Sequence, residues 1–98
     1  MIVNIIDSRR KIVAACDKEL LGKIFEEGKF QLNVKENFYG GKEVSSEELG
    51  KIFSDMKKED ATFNLAGGKV IEVALETGVM EEKNVGEVDG IKFGLKLL

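Results

Sequence analysis

Ninety-eight residues, 43% of them hydrophobic and 34% charged, suit a single globular domain with one core and leave no room for a second. The longest stretch without a charge, Ala61 to Gly68, is far short of a membrane span, and Asp7 and Arg9 interrupt the first apolar run before a secretory signal can form, so a cytoplasmic protein with no membrane partner is expected. A formal net charge of −3 with no basic arm disfavours tight nonspecific DNA binding, while a single cysteine and the absence of histidine remove disulfide frameworks, imidazole acid–base chemistry and Cys/His zinc sites.

In chain order, Ile2 to Ile6 and Lys11 to Cys16 are short β-branched, apolar runs that predict two strands joined by a turn at Asp7, Ser8, Arg9 and Arg10. Asp17 is placed to cap one helical turn through Leu20 and Leu21, closed by Gly22 in a left-handed conformation. Phe30, Leu32 and Val34 alternate with Gln31, Asn33 and Lys35, the period of a strand with one wet face, after a turn at Glu27-Gly28. Ser45-Ser46-Glu47-Glu48 is a capping box, and Leu49, Ile52, Phe53 and Met56 continue it as the inward stripe of a helix over Ser46 to Lys57. Ala61 to Leu65 reads as a strand, Gly67-Gly68 as a junction, and Lys69 to Thr77 as a second amphipathic helix ended at Gly78. Asp89-Gly90 makes a two-residue hairpin between Val85 to Val88 and a last strand whose Ile91, Phe93, Leu95 and Leu97 point one way. About six strands in hairpins with two amphipathic helices, the strands gathered at both ends of the chain, predict an α+β fold.

The run from Cys16 to Gly28, with Phe38-Tyr39-Gly40-Gly41, Ala61-Thr62, Asn64, Gly67, Ala74 and Gly78, resembles a family of small archaeal conserved proteins known only as a domain of unknown function. The resemblance spans nearly the whole chain. It implies an archaeal cytoplasmic source, one α/β-type domain and a link to RNA or translation. It carries over no activity, ligand or catalytic residue.

Read for chemistry, the residues offer no catalytic set, no cofactor and no metal. Cys16 ends an apolar strand and is expected to be structural, because a reactive thiol needs a depressed pKa and an accessible sulfur. The pairs Glu26-Glu27, Glu47-Glu48 and Glu81-Glu82 diverge on strand or helix, so none forms a paired-carboxylate or metal site. Two glycine-containing segments remain. In Tyr39-Gly40-Gly41-Lys42, Tyr39 is either half-buried beside a structural turn or a stacking face with Lys42 as a phosphate contact. In Asn64-Leu65-Ala66-Gly67-Gly68-Lys69, the start of the second helix is either a tight junction or an anion site; it is not a nucleoside-triphosphate loop, because Phe63 stands where the first glycine belongs and Val70 where the hydroxyl belongs. Arg9 and Arg10 form a solvated tip able to touch a phosphate backbone.

The resulting candidate anion- or RNA-binding set is Asn64, Gly67, Gly68, Lys69, Tyr39, Gly40, Gly41, Lys42, Arg9 and Arg10. The leading expectation is a non-enzymatic binding module for RNA or a ribonucleoprotein. A small enzyme or binder for a phosphorylated or carboxylated metabolite at Gly67-Gly68 is the alternative. The third is a protein–protein adaptor or homodimer that pairs through the apolar C-terminal strand at Leu97-Leu98.

Overall fold

The computed structural model describes residues 1–97. Strands β1 (Ile2–Ile6) and β2 (Ile12–Cys16) open the chain as an antiparallel hairpin. A 3-10 turn at Lys18–Leu20 leads to β3 (Ile24–Glu27) and β4 (Phe30–Asn33), which form a separate two-stranded hairpin, and then to the one-turn helix α1 (Glu36–Tyr39). The two-residue β5 (Lys42–Glu43) returns to the edge of β1. Helix α2 (Ser46–Lys58), β6 (Thr62–Ala66) and α3 (Gly68–Thr77) follow, and a 3-10 turn at Glu82–Asn84 introduces the closing hairpin of β7 (Val85–Val88) and β8 (Ile91–Lys96).

The main sheet has the order β5-β1-β2-β6-β8-β7. Only β2 and β6 run parallel, because α2 separates them and brings the chain back to the same end before it re-enters the sheet. The fold is α+β, as the pattern of hairpins and amphipathic helices predicts. Beyond that pattern the chain adds β3, β5 and α1, each of two to four residues, lengths at which periodicity carries no signal.

Helices α2 and α3 cover one sheet face. Leu49, Phe53 and Met56 of α2 and Val70, Ile71, Val73 and Ala74 of α3 pack with Val3, Val13, Ala15, Phe63 and Leu65 of the sheet in one buried cluster. The Ser45 hydroxyl accepts from Glu48 N at 3.2 Å and Glu48 Oε1 accepts from Ser45 N at 3.2 Å, so the reciprocal cap that starts α2 is present. At the far end of α3, Gly78 takes the left-handed conformation (φ 75°) expected of a helix-ending glycine.

The opposite face is covered by residues 18–40. Leu20, Leu32, Val34 and Tyr39 bury Ile2, Ala14, Cys16, Ala66 and Val88 in a second cluster, with Phe25, Phe38, Ile91 and Phe93 packed against it. The β3–β4 hairpin is tied down where Glu27 Oε1 accepts from Asp89 N at 2.7 Å. The C-terminal strand β8 lies between β6 and β7 in the sheet order, but β7 pairs only with Ile91 to Gly94, and Leu95 and Lys96 pair with β6. Of the Leu97-Leu98 pair, Leu98 lies outside the described residues. No helix among them is long and apolar enough to cross a membrane.

Candidate functional site

Asp17 has a different role from the one its sequence neighbours suggest. It does precede a 3-10 turn, but its side chain makes no hydrogen bond to that turn. Its carboxylate crosses instead to the start of α3, where Oδ2 accepts from Lys69 N at 3.1 Å and Oδ1 from Val70 N at 2.9 Å. The residue is 6% exposed. The positive end of α3 is therefore neutralised by the protein's own anion, held in place because Asp17 N donates to Ala66 O at the end of the β2–β6 ladder. Gly67 (φ 112°) is required there for two reasons: the backbone is in a region closed to other residues, and a side chain would overlap the Asp17 carboxylate. Two of the N–H groups expected to face an external anion are thus engaged. Gly68 and Lys69 are exposed beside them.

The other glycine pair is also structural. A side chain on Gly40 would overlap the Glu36 carbonyl at the end of α1, and one on Gly41 would overlap the Val3 carbonyl of β1. Tyr39 is 8% exposed and sits edge-on against Phe38, with ring centroids 5.1 Å apart, so its ring faces are covered rather than offered to a base. Lys42 is exposed and its ammonium lies 4.0 Å from Glu48. β1 and β2 stand between β5 and β6, so the two glycine segments are separated by three strand spacings, about 14 Å. They do not form one site.

Arg9 and Arg10 are exposed in the β1–β2 turn. Asn64 lies on the open sheet face in the row Asn4–Ala14–Asn64–Leu95, and its amide has no hydrogen-bond partner among the described residues. Cys16 is fully buried, and burial together with the neighbouring Asp17 charge raises its thiol to about 11. A thiol so raised is protonated at neutral pH and is no nucleophile.

A depression lies elsewhere, between the end of β4 and α1. It is an open depression of about 400 Å³ lined by Asn33, Lys35, Asn37 and Phe38. Its position is fixed from below, because Asn4 Nδ2 donates to the Phe38 carbonyl at 2.8 Å and so fastens α1 to the sheet. Two amides, one ammonium and one aromatic ring meet there. Periodicity gives no warning of this: Asn33 ends β4, Lys35 is the N-cap residue of α1, Asn37 and Phe38 lie in that one-turn helix, and only the fold joins them. A smaller recess of about 150 Å³ opens between Lys57, Asp60, Ala61, Phe63, Val79 and Lys96. Lys57 reaches from the last turn of α2 to the Gly78 end of α3, where an ammonium complements the negative ends of both helices. Among the described residues, no three cysteine, aspartate or glutamate side chains converge as metal ligands.

Among solved structures, this fold is similar to the crystal structure of an uncharacterized conserved protein from Methanopyrus kandleri, at a TM-score of 0.82 and 24% identity over 97% of this chain and 88% of that one. No curated protein matches the sequence. Residues 5–95 match the family model described as a protein of unknown function, DUF424, and with that match over most of its length the chain belongs to the DUF424 family.

Proposed function

We propose that the protein is a non-enzymatic archaeal cytoplasmic module that binds an unpaired nucleotide of a structured RNA, alone or within a ribonucleoprotein. The observation that supports this reading is the depression at Asn33, Lys35, Asn37 and Phe38. Its volume falls in the range of small-ligand pockets, roughly 300–1,000 Å³. Unpaired bases are recognised by apolar or aromatic contact on one face and by groups that both donate and accept on the edge, and an amide side chain does both. Phe38 supplies the first, Asn33 and Asn37 the second, and Lys35 a contact for the adjoining phosphate. The lack of a broad aromatic platform limits the site to one base, which suits a loop or bulge rather than a long single strand.

The test is equilibrium binding of labelled RNA hairpins with varied loops, measured across a range of salt. Lys35→Ala should reduce the slope of log K against log salt by about 0.7, the value for one phosphate contact on a single strand. Asn37→Ala should weaken binding by about tenfold, one hydrogen bond to a base edge, without a change in melting temperature. Binding by both variants equal to that of the parent protein sinks the reading.

A further inference from the structure

The end of the main sheet away from Asp17 carries the smaller recess, where the last turns of α2 and α3 meet the start of β6 and the end of β8. Its floor is apolar, made by the buried Ala61, Phe63 and Val79. Its remaining members are charged. Lys57 extends from the last turn of α2 and brings its ammonium beside Gly78 at the end of α3. Lys96 stands opposite Phe63 in the β6–β8 ladder, two residues from Gly94, on which a side chain would overlap Met80 under the helices. By that alternation its half-buried side chain lies on the helix-covered face of the sheet, beside the Phe63 ring. Asp60 follows the cap of α2 with a left-handed backbone (φ 56°), and Asp60 N donates to Lys57 O and Ala61 N to Met56 O, both at 3.2 Å. Those paired bonds define a helix end at which glycine is the usual residue, and here an acid occupies it. Lys57, Lys96 and Asp60 form no ion pair with one another or with any other side chain among the described residues.

We propose that this recess binds a free α-amino acid with a small aliphatic side chain. The lining matches the three parts of such a molecule. Lys57 and Lys96 receive its carboxylate, Asp60 and the negative ends of the two helices receive its ammonium, and Ala61, Phe63 and Val79 receive its side chain. A simple carboxylate is opposed by Asp60 and the helix ends, and a simple amine by the two lysines. The volume of about 150 Å³ is that of a cavity holding one benzene molecule, enough for a branched aliphatic side chain with the charged groups at the mouth. It falls below the roughly 300 Å³ at which pockets for larger ligands begin.

The experiment is an NMR titration of the full chain with L-valine, with 3-methylbutanoate, which lacks the ammonium, and with 2-methylpropylamine, which lacks the carboxylate. Valine should bind with a Kd in the millimolar range, the order expected of a ligand of roughly eight heavy atoms, and should shift the amides of Ala61, Phe63 and Val79. Each analogue should bind about tenfold more weakly, having lost one charge-assisted contact. Lys96→Met keeps the stem beside Phe63 and removes the charge, so it should weaken valine binding about tenfold at an unchanged melting temperature. Asp60→Gly should raise the melting temperature, because glycine suits the left-handed position, and should bring valine and 3-methylbutanoate to equal affinity. The proposal is overturned by the absence of a saturable shift at tens of millimolar valine, by equal binding of valine and both analogues, or by variants that bind valine as the parent protein does.

Discussion

The two faces of the main sheet are finished by different means. On one, two helices of 13 and 10 residues lay continuous apolar stripes over Val3, Val13, Ala15, Phe63 and Leu65. On the other, a 3-10 turn, a hairpin and a single helical turn reach Ile2, Cys16 and Ala66 but leave Leu95 and Leu97 open. A helical stripe buries area evenly, so the first face holds the stability. The second is assembled from short pieces tied by individual polar bonds, and at their edges lie the depression and the exposed Leu95 and Leu97.

The sharpest way to break this contrast is to truncate one large apolar side chain on each face. Phe53 is fully buried and stands edge-on to Phe63 at 5.7 Å, so Phe53→Ala should cost about 3–5 kcal/mol in denaturant unfolding. Leu97→Ala on the other face should stay within about 0.5 kcal/mol. Comparable losses would mean that the open face carries as much of the core as the helical one.

A smaller effect is expected where the two layers are joined. Asp17→Ala leaves the N–H groups of Lys69 and Val70 without their carboxylate and should cost about 2 kcal/mol, the upper end for loss of a helix cap. Asp17→Asn retains an acceptor for one N–H and should recover part of that loss. Because the side chain reaches across the sheet to a helix 52 residues on, hydrogen exchange should show the first turn of α3 loosening without a matching change in the 3-10 turn that follows Asp17. Loosening of that turn alone would restore the local-cap reading.

Cys16 probes the covered end of the second face. Its thiol is raised from 9.0 to about 11, chiefly by burial, and Tyr39 in the same cluster is raised from 10.0, also chiefly by burial. Both groups therefore ionise earlier in the unfolded chain than in the folded one. The stability they lend is fully present below pH 9 and falls as pH rises toward 11. Thiol labelling at pH 8 should be slow in the native protein and fast after denaturation, and fast native labelling would show that residues 18–40 do not hold their cover.

The same difference decides what was legible in the sequence. The α2 stripe of Leu49, Phe53 and Met56, the Ser45–Glu48 cap and the Asp89-Gly90 turn are local patterns, and each is found where the spacing puts it. The positive φ values at Asp89 (51°) and Gly90 (77°) are the backbone such a two-residue hairpin requires. Asp17 illustrates the opposite case, for its spacing to Leu20 suggests a local cap while its partners lie on another element. Asn33, Lys35, Asn37 and Phe38 are illegible for the same reason. A depression built from four neighbouring positions leaves no period: Asn33 ends β4, Lys35 is the N-cap residue of α1, and Asn37 and Phe38 lie in a helix of one turn.

The smallest expected effects concern the residues after the cap, and they separate an internal anion from an external one. Gly68 occupies the first position of α3, where an added side chain meets nothing within 4 Å and the backbone carries no positive φ. Gly68→Ala should therefore leave the melting temperature unchanged or raise it, by up to about 1 kcal/mol of stability gained from a stiffer unfolded chain. Gly67→Ala, one residue earlier, should do the reverse, because its φ of 112° and the Asp17 carboxylate both exclude a side chain. Lys69 is exposed and forms no ion pair among the described residues, so Lys69→Ala should shift stability by less than about 0.5 kcal/mol. With Lys69 N and Val70 N already donating to Asp17, neither Gly68→Ala nor Lys69→Ala should change binding of inorganic phosphate or RNA. Phosphate binding that disappears in Lys69→Ala and strengthens in Asp17→Ala would instead mean that the carboxylate gives way to a ligand, and the start of α3 would then be the binding site.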